Sequence, residues 1–296
     1  MKRAALALIG LSALATAPSA FAAPRRAPPP PPLPVWNWTG FYGGANIGYS
    51  WGNSNSTLTL SDATTGAPLF AANNSFSLDG IIGGGQIGYN WQSTNWVFGL
   101  EADIQGSGED GNTAAVCPGG ALGTRTVAGL SGTCSLGHLG DTAPFDVAAF
   151  PVTDSLSEKL EWFGTVRARL GSTFIRPTLL AYITGGFAYG GISATDTISG
   201  TNILGMQNTN GSTLSPVAAS FGGNTTRGGW TIGGGLEGVL WENWTGKIEY
   251  LYIDLGTISG SFITPVVAPS GNFVAASFSS HITDNVLRVG LNYHLR

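Results

Sequence analysis

The chain has 296 residues, of which 43% are hydrophobic, 10% aromatic and 10% charged, with 45 glycines and a formal net charge of -4. That is too apolar for a disordered chain and too poor in charge for an ordinary cytoplasmic domain. Without Lys2 and Arg3, which fall in a leader segment, the charge becomes about -6, and no basic stripe is left to hold nucleic acid.

The N-terminus reads as a signal peptide over 1–22: Lys2 and Arg3, an apolar run from Ala4 to Ala15, then the small-residue site Ala20-Phe21-Ala22. Residues 23–37 follow as a Pro-rich spacer, with Pro28 to Pro32 unbroken, which cannot join a sheet ladder and is expected to be a periplasmic tether. No later stretch approaches the roughly 18 to 20 apolar residues of a membrane helix, so a membrane would have to be crossed by strands.

From 38 onward, eight segments alternate apolar and polar residues with period two, predicting strands at 38–51, 79–92, 95–105, 158–171, 179–191, 227–241, 244–256 and 282–296. In the first, Phe41, Ile47, Tyr49 and Trp51 share one face, with Tyr42, Asn46 and Ser50 on the other. The connections alternate between short turns (near 93–94, 172–178 and 242–243) and long polar loops (52–78, 106–157, 192–226 and 257–281). This is the pattern of an all-β, eight-stranded antiparallel up-and-down transmembrane β-barrel over 38–296, with long extracellular loops and both termini periplasmic. Gly83-Gly84-Gly85 and Gly233-Gly234-Gly235 lie inside such strands and lack the Lys and helix of a phosphate cradle, so they read as room for curvature and for long inward side chains.

Parity places Glu101, Asp103, Lys159, Glu161, Arg167, Arg169, Glu237, Lys247, Glu249 and Arg288 inside. An eight-stranded barrel is just wide enough for side chains to fill, and charges in so dry a space have to be paired, so a packed salt-bridge network is expected in the lumen. The nine Trp residues fall in the lead-in or near segment ends, as in the aromatic girdles of membrane barrels; Trp241 is the exception, since parity turns it inward. Cys117 and Cys134 share one long loop and are read as a disulfide rather than a metal site.

The final strand, Arg288 to Leu295, carries polar Arg288, then Gly290, Tyr293 and Leu295, in a pattern that resembles the signal the barrel assembly machinery reads; the chain ends Leu295-Arg296 where many such proteins end on Phe. Trp38 to Tyr49 (WTGFYGGANIGY), Tyr182 to Gly190, Lys247 to Gly256 and Val289 to Tyr293 are similar to the small outer-membrane barrels of alphaproteobacterial surface antigens, often labelled porin-like and related to opacity-type adhesins. The resemblance covers about 36–296. It implies an outer-membrane protein of the Gram-negative envelope, in contact with lipid and lipopolysaccharide.

The expected role is structural, with the lumen plugged and the loops available to envelope, host-surface or other loop ligands; a porin-like channel for small solutes is the alternative. No catalytic residues, cofactor or metal are assigned. His138, with Asp141 three residues on, His281 and His294 form no convergent set with a nucleophile, so an enzyme is not expected. Hemin held by His138 or His281 in an outer loop is a further reading behind the channel.

Overall fold

A computed structural model describes residues 36–63, 66, 68–117, 123–126, 133–136, 152–201, 216–265 and 273–295. The signal peptide, most of the tether, His138 and Arg296 lie outside the described residues. Among the described residues ten strands are formed: β1 Gly40–Asp62, β2 Pro68–Ser93, β3 Trp96–Cys117, β4 Gly123–Thr126, β5 Thr133–Leu136, β6 Val152–Arg176, β7 Leu179–Thr201, β8 Pro216–Trp241, β9 Trp244–Pro265 and β10 Phe273–Leu295.

They belong to one sheet in the order β1-β10-β9-β8-β7-β6-β3-β2-β5-β4, and an additional β1–β2 pairing returns the order to its start. With β4 and β5 set aside as an appended hairpin, eight antiparallel strands form a closed ring. All eight alternation segments become strands of it. Closure runs through Gly48, which faces Arg288 of β10 on one side and Ile82 of β2 on the other. The tight turns sit at Thr94, at Pro177-Thr178 and at Glu242; Thr94 (φ 56°) and Glu242 (φ 38°) take the left-handed backbone that two-residue hairpins require.

The alternation dictates which face is oily. Phe41, Ile47, Ile87, Phe98, Leu100, Ile104, Ile183, Ile232, Ile248 and Val289 all point out of the ring and are exposed. Aromatic side chains bound this band at both edges. Phe41, Trp91, Trp96, Trp241 and Trp244 lie at the turn side, and Tyr49, Trp51, Trp230 and Tyr250 toward the loop side. From Phe41 to Trp51 at about 3.3 Å per residue, tilted near 40°, the band is about 25 Å tall.

The structure departs from the sequence pattern in four places. The stretches read as long loops are largely extended, because the strands continue some ten residues past the loop-side aromatics, and the longest stretch adds β4 and β5. Trp241 points outward, 54% exposed and tilted against Trp244, since an irregularity between Val239 and Trp241 reverses the parity that would have turned it in. Trp38 belongs to no girdle: it is fully buried inside the turn-side mouth, where its indole N–H donates to the Pro177 carbonyl at 3.0 Å. Trp36 packs edge-on against it, so the tether assigned to 23–37 gives up its last residues to the barrel.

Candidate functional site

The lumen is layered. At the turn-side mouth Trp36, Trp38 and Tyr42 surround His294, whose ring lies 5.3 Å from that of Tyr42 and 5.7 Å from that of Trp38. Next comes the charged layer. Arg167 reaches Glu101 at 2.5 Å, Asp103 at 2.9 Å and Glu249 at 3.1 Å. Arg288 binds Asp103 at 2.8 Å and Glu249 at 2.6 Å, Lys247 binds Glu101 at 2.9 Å, and Arg169 binds Glu237 at 2.7 Å.

Four carboxylates thus meet four cations with side chains no more than 2% exposed, and the layer is neutral as a unit. Neutrality and shared hydrogen bonds are what make burial of so many charges tolerable. Tyr42 and Tyr182 complete the set by donating to Glu101 and Glu249, both at 2.8 Å, while the Arg169 guanidinium lies 3.9 Å from the centre of the Tyr182 ring. Thr245 and Asn292 donate to Glu237 at 2.6 and 2.8 Å, and Asn292 in turn accepts from Gln86.

Long inward side chains need facing positions without one. A Cβ on Gly84 would stand 2.0 Å from the Ile104 carbonyl and 2.5 Å from the Gln105 side chain, and one on Gly233 would stand 2.0 Å from the Tyr250 carbonyl. Gly84 and Gly233 therefore have the spatial role expected of their triplets, whereas a Cβ on Gly83 or Gly85 would make only ordinary contacts.

Of the expected lumen residues, Glu101, Asp103, Arg167, Arg169, Glu237, Lys247, Glu249 and Arg288 are brought together. Lys159 and Glu161 are not; both are exposed on the outer surface of β6. Register shifts between Leu160 and Trp162 against β7, and between Gly106 and Glu109 against β3, reverse the alternation there. Glu158 and Leu160 turn inward in their place. Gly290 lies in the wall, with Tyr293 and Leu295 on its outer face. Cys117 ends β3 and Cys134 lies in β5, but their side chains are outside the described residues.

Above the charges the lumen becomes apolar, which parity did not anticipate: Ile82, Phe163, Leu251, Ile253, Ile282 and Val286 pack together and are almost fully buried. At the upper edge of this layer and above it three more acids are buried: Asp284, which pairs with Ile253 between Ile282 and Val286, and Glu109 and Glu158. Glu109 exchanges hydrogen bonds with Ser107, and Glu158 faces Ser54 and Ser280. No cation pairs with any of them among the described residues. Burial pushes the Glu109 carboxyl up to about 7, and burial together with the facing Glu109 charge pushes Asp284 up to about 8. Asp284 shares its parity with Arg288 and was legible in principle; Glu158 was hidden by the irregularity beside it. His281 stands at this end, 3.7 Å from Asp254.

A closed antiparallel ring with an oily, aromatic-edged exterior and a charged, packed interior defines a transmembrane β-barrel. The chain belongs to the outer membrane protein beta-barrel domain family, whose model matches residues 4–294. It is 32% identical over 267 residues to the 31 kDa outer-membrane immunogenic protein of Brucella melitensis and to that of Brucella suis, with 90% of this chain and 88% of each relative covered. Among solved structures it is similar to the outer membrane protein OprG of Pseudomonas aeruginosa (12% identity, TM-score 0.38, 87% of this chain and 97% of that one). It is also similar to Ail, the attachment invasion locus protein of Yersinia pestis (11% identity, TM-score 0.28, 86% and 99% covered). The protein is an outer-membrane protein, surrounded by lipid and lipopolysaccharide.

Proposed function

We propose that this barrel is a structural surface protein rather than a channel or an enzyme, with its lumen closed by the charged and apolar layers and its loop end facing outward. The observation that carries this reading is the charged layer: eight ionised side chains, mutually paired and all but fully buried, leave no continuous polar path beside them. The apolar residues above it, Phe163 among them, oppose ion passage a second time, because they exclude the water an ion would carry. The carboxylates of the charged layer are held by cations, so none stands ready as a general base.

With this orientation both termini are periplasmic, 1–22 is a cleaved leader, and the Pro-rich stretch is a tether ahead of Trp36. Arg288, Gly290, Tyr293 and Leu295 form the insertion signal for the assembly machinery, and Cys117 with Cys134 closes a loop disulfide. The loop end meets host or envelope ligands, a reading that suits relatives whose name describes them as immunogenic.

The test is to refold the chain in lipid, verify folding by its heat-dependent gel mobility, and record planar-bilayer current. A folded barrel with little or no conductance is expected. Large, stable conductance steps would make it a porin.

A further inference from the structure

Among the described residues the strand pairing of the barrel wall is not continuous along its whole height. β8 and β9 pair from Trp241/Trp244 up to Trp230/Asp254 and no further among the described residues. Above that point β8 remains paired to β7 as far as Pro216, and β9 remains paired to β10 as far as Pro265. Two strand edges therefore diverge, just beyond the aromatic edge marked by Trp230.

The sequence builds this split. Gly256 has φ +71°, the left-handed backbone that glycine adopts readily, and the Asp254 carboxylate accepts from the Gly256 amide at 2.8 Å to hold the kink. The register with β10 shifts at the same place, since Ile282 and Thr283 pair with Gly256 and Asp254 and leave Leu255 as an extra residue on β9. The kink turns β9 away from β8 at the point where their pairing stops.

Every second residue of an unpaired edge directs its N–H and C=O away from the neighbour it does pair with, so both edges offer hydrogen-bonding groups to the gap. Space is present as well: a Cβ added at Gly223 of β8, or at Gly256 or Gly260 of β9, would meet nothing within 4 Å. Behind the gap lies a cavity of about 260 Å3, lined by Leu156, Asp196, Arg227, Ile258 and Phe278 among others. Arg227 has a buried Nε with no hydrogen-bond acceptor.

The same chain shows how such an edge is used. On the other side of the ring β2 and β3 pair only up to Asp79/Asp110, and there β2 takes up β5 as an added strand, with Phe70, Ala71 and Ala72 facing Leu136, Ser135 and Cys134. We propose that the β8–β9 split is a docking site for an extended segment of a partner polypeptide, which adds as a strand to 222–228 or 257–261 and places a carboxylate side chain into the cavity beside Arg227. Main-chain bonds would supply the affinity and the cavity the selectivity, as in other strand-addition complexes. The inference holds whether or not the lumen conducts.

The test pans the refolded full-length barrel against a display library of segments about ten residues long, with β-branched residues at alternate positions and random residues between. Enrichment of Asp or Glu at an inward position is expected, together with slowed amide exchange over 222–228 or 257–261 when a synthetic winner is added. Backbone N-methylation of that peptide should abolish binding. Arg227→Gln, verified by unchanged heat-dependent gel mobility, should weaken it at least about tenfold, while binding of the Glu-to-Gln peptide should fall in the wild type and change little further in the variant. No enrichment over a library with Pro at alternate positions would overturn the proposal, as would protection confined to other strands or undiminished binding of the N-methylated peptide. Concentration-dependent protection of the same amides without any peptide would assign the split to a second copy and equally dismiss a foreign partner.

Discussion

The two ends of the lumen bury acids in opposite ways. On the turn side Glu101, Asp103, Glu237 and Glu249 are surrounded by Arg167, Arg169, Lys247 and Arg288. On the loop side Glu109, Glu158 and Asp284 are just as deeply buried, yet meet hydroxyls, one another and the apolar layer. Burial is common to both sets; the difference is the partner. The first arrangement fixes eight side chains in one geometry, and the second leaves carboxyls whose most favourable state depends on the proton concentration outside.

The sharpest way to break this contrast is Arg167→Met, which leaves Glu101, Asp103 and Glu249 short of a shared cation. It should lower stability by about 3–5 kcal/mol, measured by urea unfolding in lipid vesicles, since an orphaned buried charge is far more harmful than an absent pair. A loss below about 1 kcal/mol would mean that the charged layer rearranges freely.

The next effect belongs to the loop-side acids. The Asp284 carboxyl, ordinarily at 3.8, is held near 8 in the folded chain, so the folded state binds the proton more tightly than the unfolded one. That contribution is therefore full below about pH 4, is lost as pH rises toward 8, and is flat beyond. Glu109 adds the same sign between 4.5 and about 7. Asp284→Asn should flatten the upper part of this pH dependence and stabilise the barrel above pH 8. If the variant instead followed the wild type across this range, the titrating group would lie elsewhere.

Gly256→Ala should cost about 1 kcal/mol, because φ is +71° while the added methyl has open space and meets no clash. Last, Glu161→Gln removes a carboxylate from the outer surface of β6 and should change stability by less than about 0.5 kcal/mol. A large loss there would return Glu161 to the lumen and overturn the local register.

Much of the barrel was legible in the sequence. Strict alternation reveals strand identity and facing, so Phe98, Leu100 and Ile104 could be placed outside and Glu101 and Asp103 inside without coordinates. Each error of facing within a strand traces to one extra residue. The shift near Leu160 and Trp162 exchanged Glu161 for Glu158, and that near Val239 and Trp241 turned an indole outward. A period-two pattern cannot announce where it will be reset. The extension of the strands beyond the aromatics was hidden for another reason: there the outer face meets water, Ser, Thr and Asn serve on both faces, and the hydrophobic alternation fades although the pairing continues.

The turn-side cap ties the two ends of the barrel together. Trp36 and Trp38 precede the first strand, His294 is near the end of the last, and the three rings lie within 5.6 to 5.8 Å of one another. The clasp therefore joins segments separated by nearly the whole chain, at the junction where β1 meets β10. Until the final strand arrives, the first has only β2 beside it, and its two indoles lack the His294 ring. Sealing the wall and sealing the mouth become a single cooperative event, and a nascent barrel lacking its last few residues would stand open in both directions at once.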